Sequence, residues 1–110
     1  MKLADEQCQP VQRDQAPLGQ VQASELMSDI PGWSLREMAL EREFAFSGFP
    51  EAMAFANRIA DLAQAQDHHP DITISYDKVR LLLATHRIHG LSRNDFILAA
   101  KISQLDSGAS

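Results

Sequence analysis

Hydrophobic and polar positions change their period several times along the chain, and each change marks an element. "ASELMSDI" places Leu26, Met27 and Ile30 on one side with Ser24 in an N-cap position, which predicts a short helix ended by Pro31-Gly32. From Trp33 to Ser47 the pattern alternates. Leu40, Arg42, Phe44 and Phe46 point one way, and Glu41, Glu43 and Ala45 the other. That is a half-exposed strand, with "WSLREM" as its hairpin partner and Gly48 as its breaker. Phe49 to Gln66 then takes up helical spacing. Phe49, Ala52, Met53, Ala56, Ile59, Ala60 and Ala63 form a stripe, and Pro50 sits in the first turn, where a missing N–H costs nothing.

Two further alternating runs follow. "DITISY" sets Ile72, Ile74 and Tyr76 on one face. "KVRLLLATH" sets Val79, Leu81, Leu83 and Thr85 on one face and Arg80, Leu82, Ala84 and His86 on the other. The run Leu81-Leu82-Leu83 is apolar on both faces, as in a strand covered on both sides or one that meets another subunit. "YDK" is short enough for a hairpin turn, and "RIHGL" reads as a loop. "RNDFILAAKISQL" closes the pattern as a helix opened by Ser92, burying Phe96, Ile97, Ala100, Ile102 and Leu105, before a frayed "DSGAS". The order is α-β-β-α-β-β-α. Its tight β-β links predict an α+β fold: a four-stranded antiparallel sheet with three helices on one face.

Residues 1–20 show no period. They are rich in Gln and read as a flexible tail that is poorly ordered or lies over the surface, leaving 21–106 as the domain. The segment has no apolar core of signal-peptide type, and no apolar run reaches membrane-spanning length, so the expectation is a soluble, cytoplasmic protein. A single cysteine, Cys8, cannot form an internal disulfide. The net charge of −5 argues against a general binder of nucleic acid or anionic membrane, because phosphate contacts need clustered Lys and Arg.

The histidines change the picture most. His68 and His69 precede the third strand and His86 ends the fourth. If those strands pair as a hairpin, the start of one lies beside the end of the other, and the three imidazoles meet at one sheet edge. Such a cluster can donate and accept protons near neutral pH. Against this stands the plainer reading of three surface-loop imidazoles. A metal site is a further alternative, with two residues between His86 and His89 and with Asp67 and Asp71 flanking His68-His69. Adjacent histidines rarely bind one ion together, however, and no Cys or HExxH pattern supports zinc. Asp95, three residues after Ser92, fits a capping box, and it could also orient an imidazole. Trp33 is a core or interface residue, or a platform for a flat heterocycle.

The spacing His68-His69-Pro70, Tyr76, His86, Asp95 resembles the signature of the pterin-4a-carbinolamine dehydratases. "PGW" at residues 31–33, "LEREFAFSGFPEAMAFANRIA" at 40–60, "HHPDI" at 68–72 and "GLSRNDFILAAKI" at 90–102 are similar to the family's bacterial members. The resemblance implies the same sheet-and-three-helix fold, a homodimer or homotetramer, and dehydration of 4a-hydroxytetrahydropterin to quinonoid dihydropterin. That step recycles the cofactor of aromatic amino-acid hydroxylases. No metal or organic cofactor is implied, the pterin being the substrate. It implies His68 and His86 as the acid–base pair, His69 as the residue that positions or deprotonates the pterin, and Asp95 as an orienting or polarising group. Asp67, Trp33, Pro70 and Thr85 would line the pocket. Gln64 stands where the family often has a charged residue, and Ile88 and His89 stand where many relatives have small ones. Some relatives are not enzymes but act as coactivators or as assembly factors for RuBisCO, so a protein client is the alternative role.

Overall fold

A computed structural model describes residues 2–107. Its elements are α1 (Gln20–Met27), β1 (Ser34–Arg36), β2 (Ala39–Ala45), α2 (Phe49–Gln66), β3 (Asp71–Ser75), β4 (Lys78–Leu83) and α3 (Arg93–Ser107), with short 3-10 turns at Leu3–Asp5 and His86–Ile88. The strands form one antiparallel sheet in the order β1-β2-β4-β3. Alternation decides which face is covered. Val79, Leu81 and Leu83 of β4, with Leu40 and Phe44 of β2, are buried beneath the helices. Each such side chain contributes about 1.5–3 kcal/mol on leaving water. The opposite face carries Glu41, which is hydrogen-bonded by Arg36 and Arg80; the Arg36 guanidinium, then Arg80, holds its carboxyl below the usual range. Leu82, paired across the strands with Glu41 and Asp71, is half-buried on that face.

Several boundaries differ from the sequence reading, each for a local reason. The first helix begins at Gln20, not at Ser24, because the Gln22 side chain accepts the Gly19 N–H and caps the helix a turn earlier. Tyr76 does not continue β3. It occupies the hairpin turn with φ 54° and is exposed. On α2 the buried stripe runs through Ala52, Phe55, Ala56, Ile59 and Ala63. It includes Phe55, which packs against Phe44 and Phe46 at 4.8 and 5.0 Å between ring centroids, while Phe49 and Ala60 stay exposed. β4 stops at Leu83. Thr85 pairs instead with Gly90 across a tight loop, so His86 begins a 3-10 turn rather than ending a strand. Asp106 and Ser107 extend α3, and the rest of the expected frayed end lies outside the described residues.

Residues 2–19 lie over the surface. Leu3 is buried, and its 3-10 turn packs on α3. Lys101 Nζ donates to the Ala4 carbonyl at 2.8 Å, and Arg93 grips Glu6 with two hydrogen bonds of 2.8 and 2.6 Å. This explains why α3 is buried continuously from Asn94 to Ala99 although its sequence reads as one-sided. The N-terminal segment covers the face that the sheet does not. Further on, Leu18 N donates to the Leu91 carbonyl, and a Cβ on Gly90 would sit 2.7 Å from Pro17 Cβ, so only glycine admits this approach.

Candidate functional site

The register Asp71↔Leu82 lays the start of β3 beside the end of β4, and this brings the histidines together. His68, His69 and His86 line one cavity of about 590 Å3, together with Asp67 and Thr85. A volume of that order suits a small organic ligand. The hairpin argument from sequence brought the three histidines together, and Asp67 and Thr85, expected from the resemblance, line the same cavity.

The loop before β3 is set by the end of α2. Asp67 adopts the left-handed conformation (φ 52°, ψ 41°). Its N–H donates to the Gln64 carbonyl and the His68 N–H to the Ala63 carbonyl, which together close the helix as a Schellman motif. The first histidine is thus anchored through its own backbone. Asp tolerates positive φ, and a β-branched residue does not. Asp67→Val is expected to cost about 1–2 kcal/mol and Asp67→Gly to cost nothing, measured as denaturant midpoints at constant slope.

Asp95 lies at the third position of α3, fully buried behind His68. Its Oδ1 is 2.6 Å from His68 Nε2. Its Oδ2 accepts the Ser92 N–H at 3.0 Å and the Thr85 hydroxyl at 2.8 Å. Ser92 and Thr85 share a further hydrogen bond of 2.7 Å between their hydroxyls. Both sequence readings of Asp95 therefore hold: one oxygen caps the helix and the other holds an imidazole. A carboxylate oxygen accepts, so in this contact His68 donates from Nε2, and Nδ1 is the ring nitrogen left for a ligand. His69 Nε2 lies 3.2 Å from Gln64 Oε1, so the glutamine that departs from the usual charged residue contacts the second imidazole.

Two of the expected pocket residues sit elsewhere. Trp33 is buried in the core, edge-on to Phe44, with Nε1 donating to Ser103 Oγ at 3.0 Å. Its indole packs against the helices because the Pro31-Gly32 turn, with Gly32 at φ 92°, directs the chain inward there. Pro70 is half-buried at the entry to β3 and is not among the lining residues; its fixed φ leads the chain into the strand. His89 faces a separate cavity beside Pro17, Leu18 and Met38, away from His86. Among the described residues no three His, Cys, Asp or Glu side chains gather as a ligand set for a metal ion.

One wall of the cavity was not legible in the sequence. It is the segment Cys8–Gln12. Cys8 N donates to Gln66 Oε1, Gln9 N to Asn94 Oδ1, and Asn94 Nδ2 to the Gln9 carbonyl at 2.6 Å. Burial pushes the Cys8 thiol up to about 11, which keeps it protonated and a poor nucleophile at neutral pH. These contacts join residues 58 and 85 positions apart, and no local pattern announces them.

A family model described as pterin 4 alpha carbinolamine dehydratase matches residues 16–105. The chain belongs to the pterin-4a-carbinolamine dehydratase family. It is 43% identical over 107 residues to a provisionally named pterin-4-alpha-carbinolamine dehydratase of Halorhodospira halophila, covering 96% of this chain and 98% of that one. It is also 43% identical over 103 residues to one of Nitrosospira multiformis, likewise provisionally named, covering 94% and 91%. Among solved structures it resembles a transcriptional coactivator/pterin dehydratase from Brucella melitensis, with a TM-score of 0.77 and 30% identity over 81% of this chain and 97% of that one. The sheet order and helix placement described above are therefore those of a pterin dehydratase fold. No helix among the described residues of this family member is long and apolar enough to cross a membrane.

Proposed function

We propose that the protein dehydrates 4a-hydroxytetrahydropterin to quinonoid dihydropterin, in the cytoplasm and without a metal or organic cofactor. The observation that supports it most is the His68–Asp95 pair set into a cavity that His69 and His86 also line. In the reaction the nitrogen N5 loses its proton, its electron pair forms the C4a=N5 double bond, and the C4a–O bond breaks. The hydroxyl takes up a proton and leaves as water. One group must accept a proton and another must donate one. His68 suits the base: Asp95 fixes its ring and stabilises the positive charge that the imidazole gains. His86, exposed on the 3-10 turn and open to solvent exchange, suits the acid. His69, steadied by Gln64, positions the ring. A carbinolamine hydroxyl leaves readily, so general acid–base help of about 10²–10⁴-fold is sufficient.

On this reading the product re-enters the pool that serves aromatic amino-acid hydroxylases, and the protein works as a homodimer or homotetramer. The half-buried Leu82 on the open sheet face and the outer edge of β3 would support contact between copies. Stopped-flow measurement of quinonoid dihydropterin formation tests the activity. The parent should exceed the uncatalysed rate, and His86→Ala should lower kcat/KM by about 10²-fold. A parent no faster than buffer sinks the reading, and a His86→Ala variant as fast as the parent removes His86 from it.

A further inference from the structure

The hydroxyls behind Asp95 have a direction. Thr85 carries one hydroxyl hydrogen, and it goes to Asp95 Oδ2 at 2.8 Å. The 2.7 Å contact between the two hydroxyls must then run from Ser92 to Thr85. Ser92 shows the same from its own side. It directly precedes α3, where a serine hydroxyl ordinarily accepts an N–H of the first turn. Here the Asp95 N–H bonds the Ser92 carbonyl at 3.1 Å, and the Ser92 hydroxyl is turned to Thr85. A chain of two donors thus ends on the carboxylate that holds His68: Ser92 Oγ to Thr85 Oγ1 to Asp95 Oδ2. All three of these residues are buried, and Ser92 does not line the histidine cavity.

We propose that this two-hydroxyl relay sets how strongly Asp95 holds the hydrogen on His68, with Thr85 and Ser92 as positioning residues for the imidazole. Donors on a carboxylate draw its charge toward themselves, and successive hydroxyls in a buried site polarise one another. Oδ2 accepts the Thr85 hydroxyl and the Ser92 N–H, so less charge is left at Oδ1 for His68. The relay thereby favours the neutral ring, the form whose Nδ1 can accept a proton. The other charged or titratable groups around the pair sit on every neighbouring element. Asp67 and His69 share its loop, His86 and Arg87 lie on the 3-10 turn, and Cys8 lies on the N-terminal segment. Lys101 of α3 is tied to the Ala4 carbonyl. The hydrogen bonds to the Asp95 carboxylate among the described residues come from His68, Thr85 and Ser92. The kinetic consequence rests on the dehydratase reading above: the relay keeps His68 available as a base.

NMR of the full chain labelled with 15N-histidine tests this, with His68→Gln used to assign the ring signal. Thr85→Val keeps the side-chain shape and removes the donor. Charge then gathers on Oδ1 and favours the protonated ring, so the neutral base appears only at higher pH. The midpoint of the His68 titration should rise by about half a pH unit, and the ascending limb of kcat/KM against pH should rise with it. Ser92→Ala should move both in the same direction by less, and it keeps the test valid if Thr85→Val fails to fold. Thr85→Ser retains the hydroxyl and should return the midpoint to that of the parent. A midpoint that stays in place or falls in the folded variants overturns the inference. So does a rate lowered at every pH with the limb unmoved, which would mark the hydroxyls as structural supports. A parent that shows no dehydration overturns the dehydratase reading alone, and the NMR midpoints still decide the relay.

Discussion

Asp95→Ala is expected to lower kcat/KM by at least about 10²-fold and to cost about 3–5 kcal/mol of stability. Both effects come from one carboxylate. The substitution leaves His68 Nε2, the Ser92 N–H and the Thr85 hydroxyl without their shared acceptor, which is itself fully buried. Thr85 and Ser92 retain their mutual hydrogen bond, so the loss falls chiefly on the imidazole and the helix cap. A buried donor left unpaired costs about 1–3 kcal/mol, which sets the stability figure for two of them with some relaxation. The kinetic loss has a separate origin in the proposed reaction: a His68 ring free to rotate would no longer present Nδ1 to N5. Asp95→Asn separates the two effects. Its amide keeps the size of the carboxyl, so much of the packing survives. One of its two polar atoms is now a donor and must face either His68 or the Ser92–Thr85 pair, both of which donate there. Thermal melting and stopped-flow rates measured together decide the matter. A variant within about threefold of the parent rate would show that His68 needs no orienting partner.

Asp95 also shows how far local sequence can be read. Its spacing from Ser92 suggested a cap and its distance from His86 suggested an orienting group, and the two oxygens divide those tasks. The histidine cluster was legible for a similar reason. The short YDK link folds β4 back against β3 as a hairpin, and the register then sets where the flanking loops meet. Tyr76 fell on the wrong side of a boundary because a strand residue and the first turn residue after it look alike until φ is known. Trp33 was legible as core or as platform, and only the packing of Phe44 and Ser103 around it chooses the core. The N-terminal wall was not legible at all. Its residues have no period of their own, and they are placed by Arg93, Asn94 and Lys101, whose side chains read from sequence as ordinary polar positions of a helix.

Phe96→Ala should produce a loss of stability as large, about 3–5 kcal/mol, with Tm lower by some 10–25 °C. Phe96 is fully buried in the same core as Leu40, Leu81 and Leu83. The ring is wholly removed from solvent, so the space it leaves lies inside the core and fills only if the helix or its neighbours move. For a domain whose whole stability is about 5–15 kcal/mol, that is a large share. The position makes the result informative about function. Phe96 directly follows Asp95, so the core residue and the site residue sit one step apart on one helix. If the core alone fixed the site, kcat would fall with stability even at low temperature. The hydrogen bonds of Asp95 to Ser92, Thr85 and His68 form a second, independent fastening, and so too do those of Asn94 to Gln9. The expected outcome is therefore a protein that melts early but keeps kcat within about threefold of the parent at 10 °C, where the folded state still dominates. Stopped-flow rates at that temperature, set beside a melting curve, check it. A rate that falls in step with the loss of stability would show that the polar fastenings cannot hold His68 once the ring beneath them is gone.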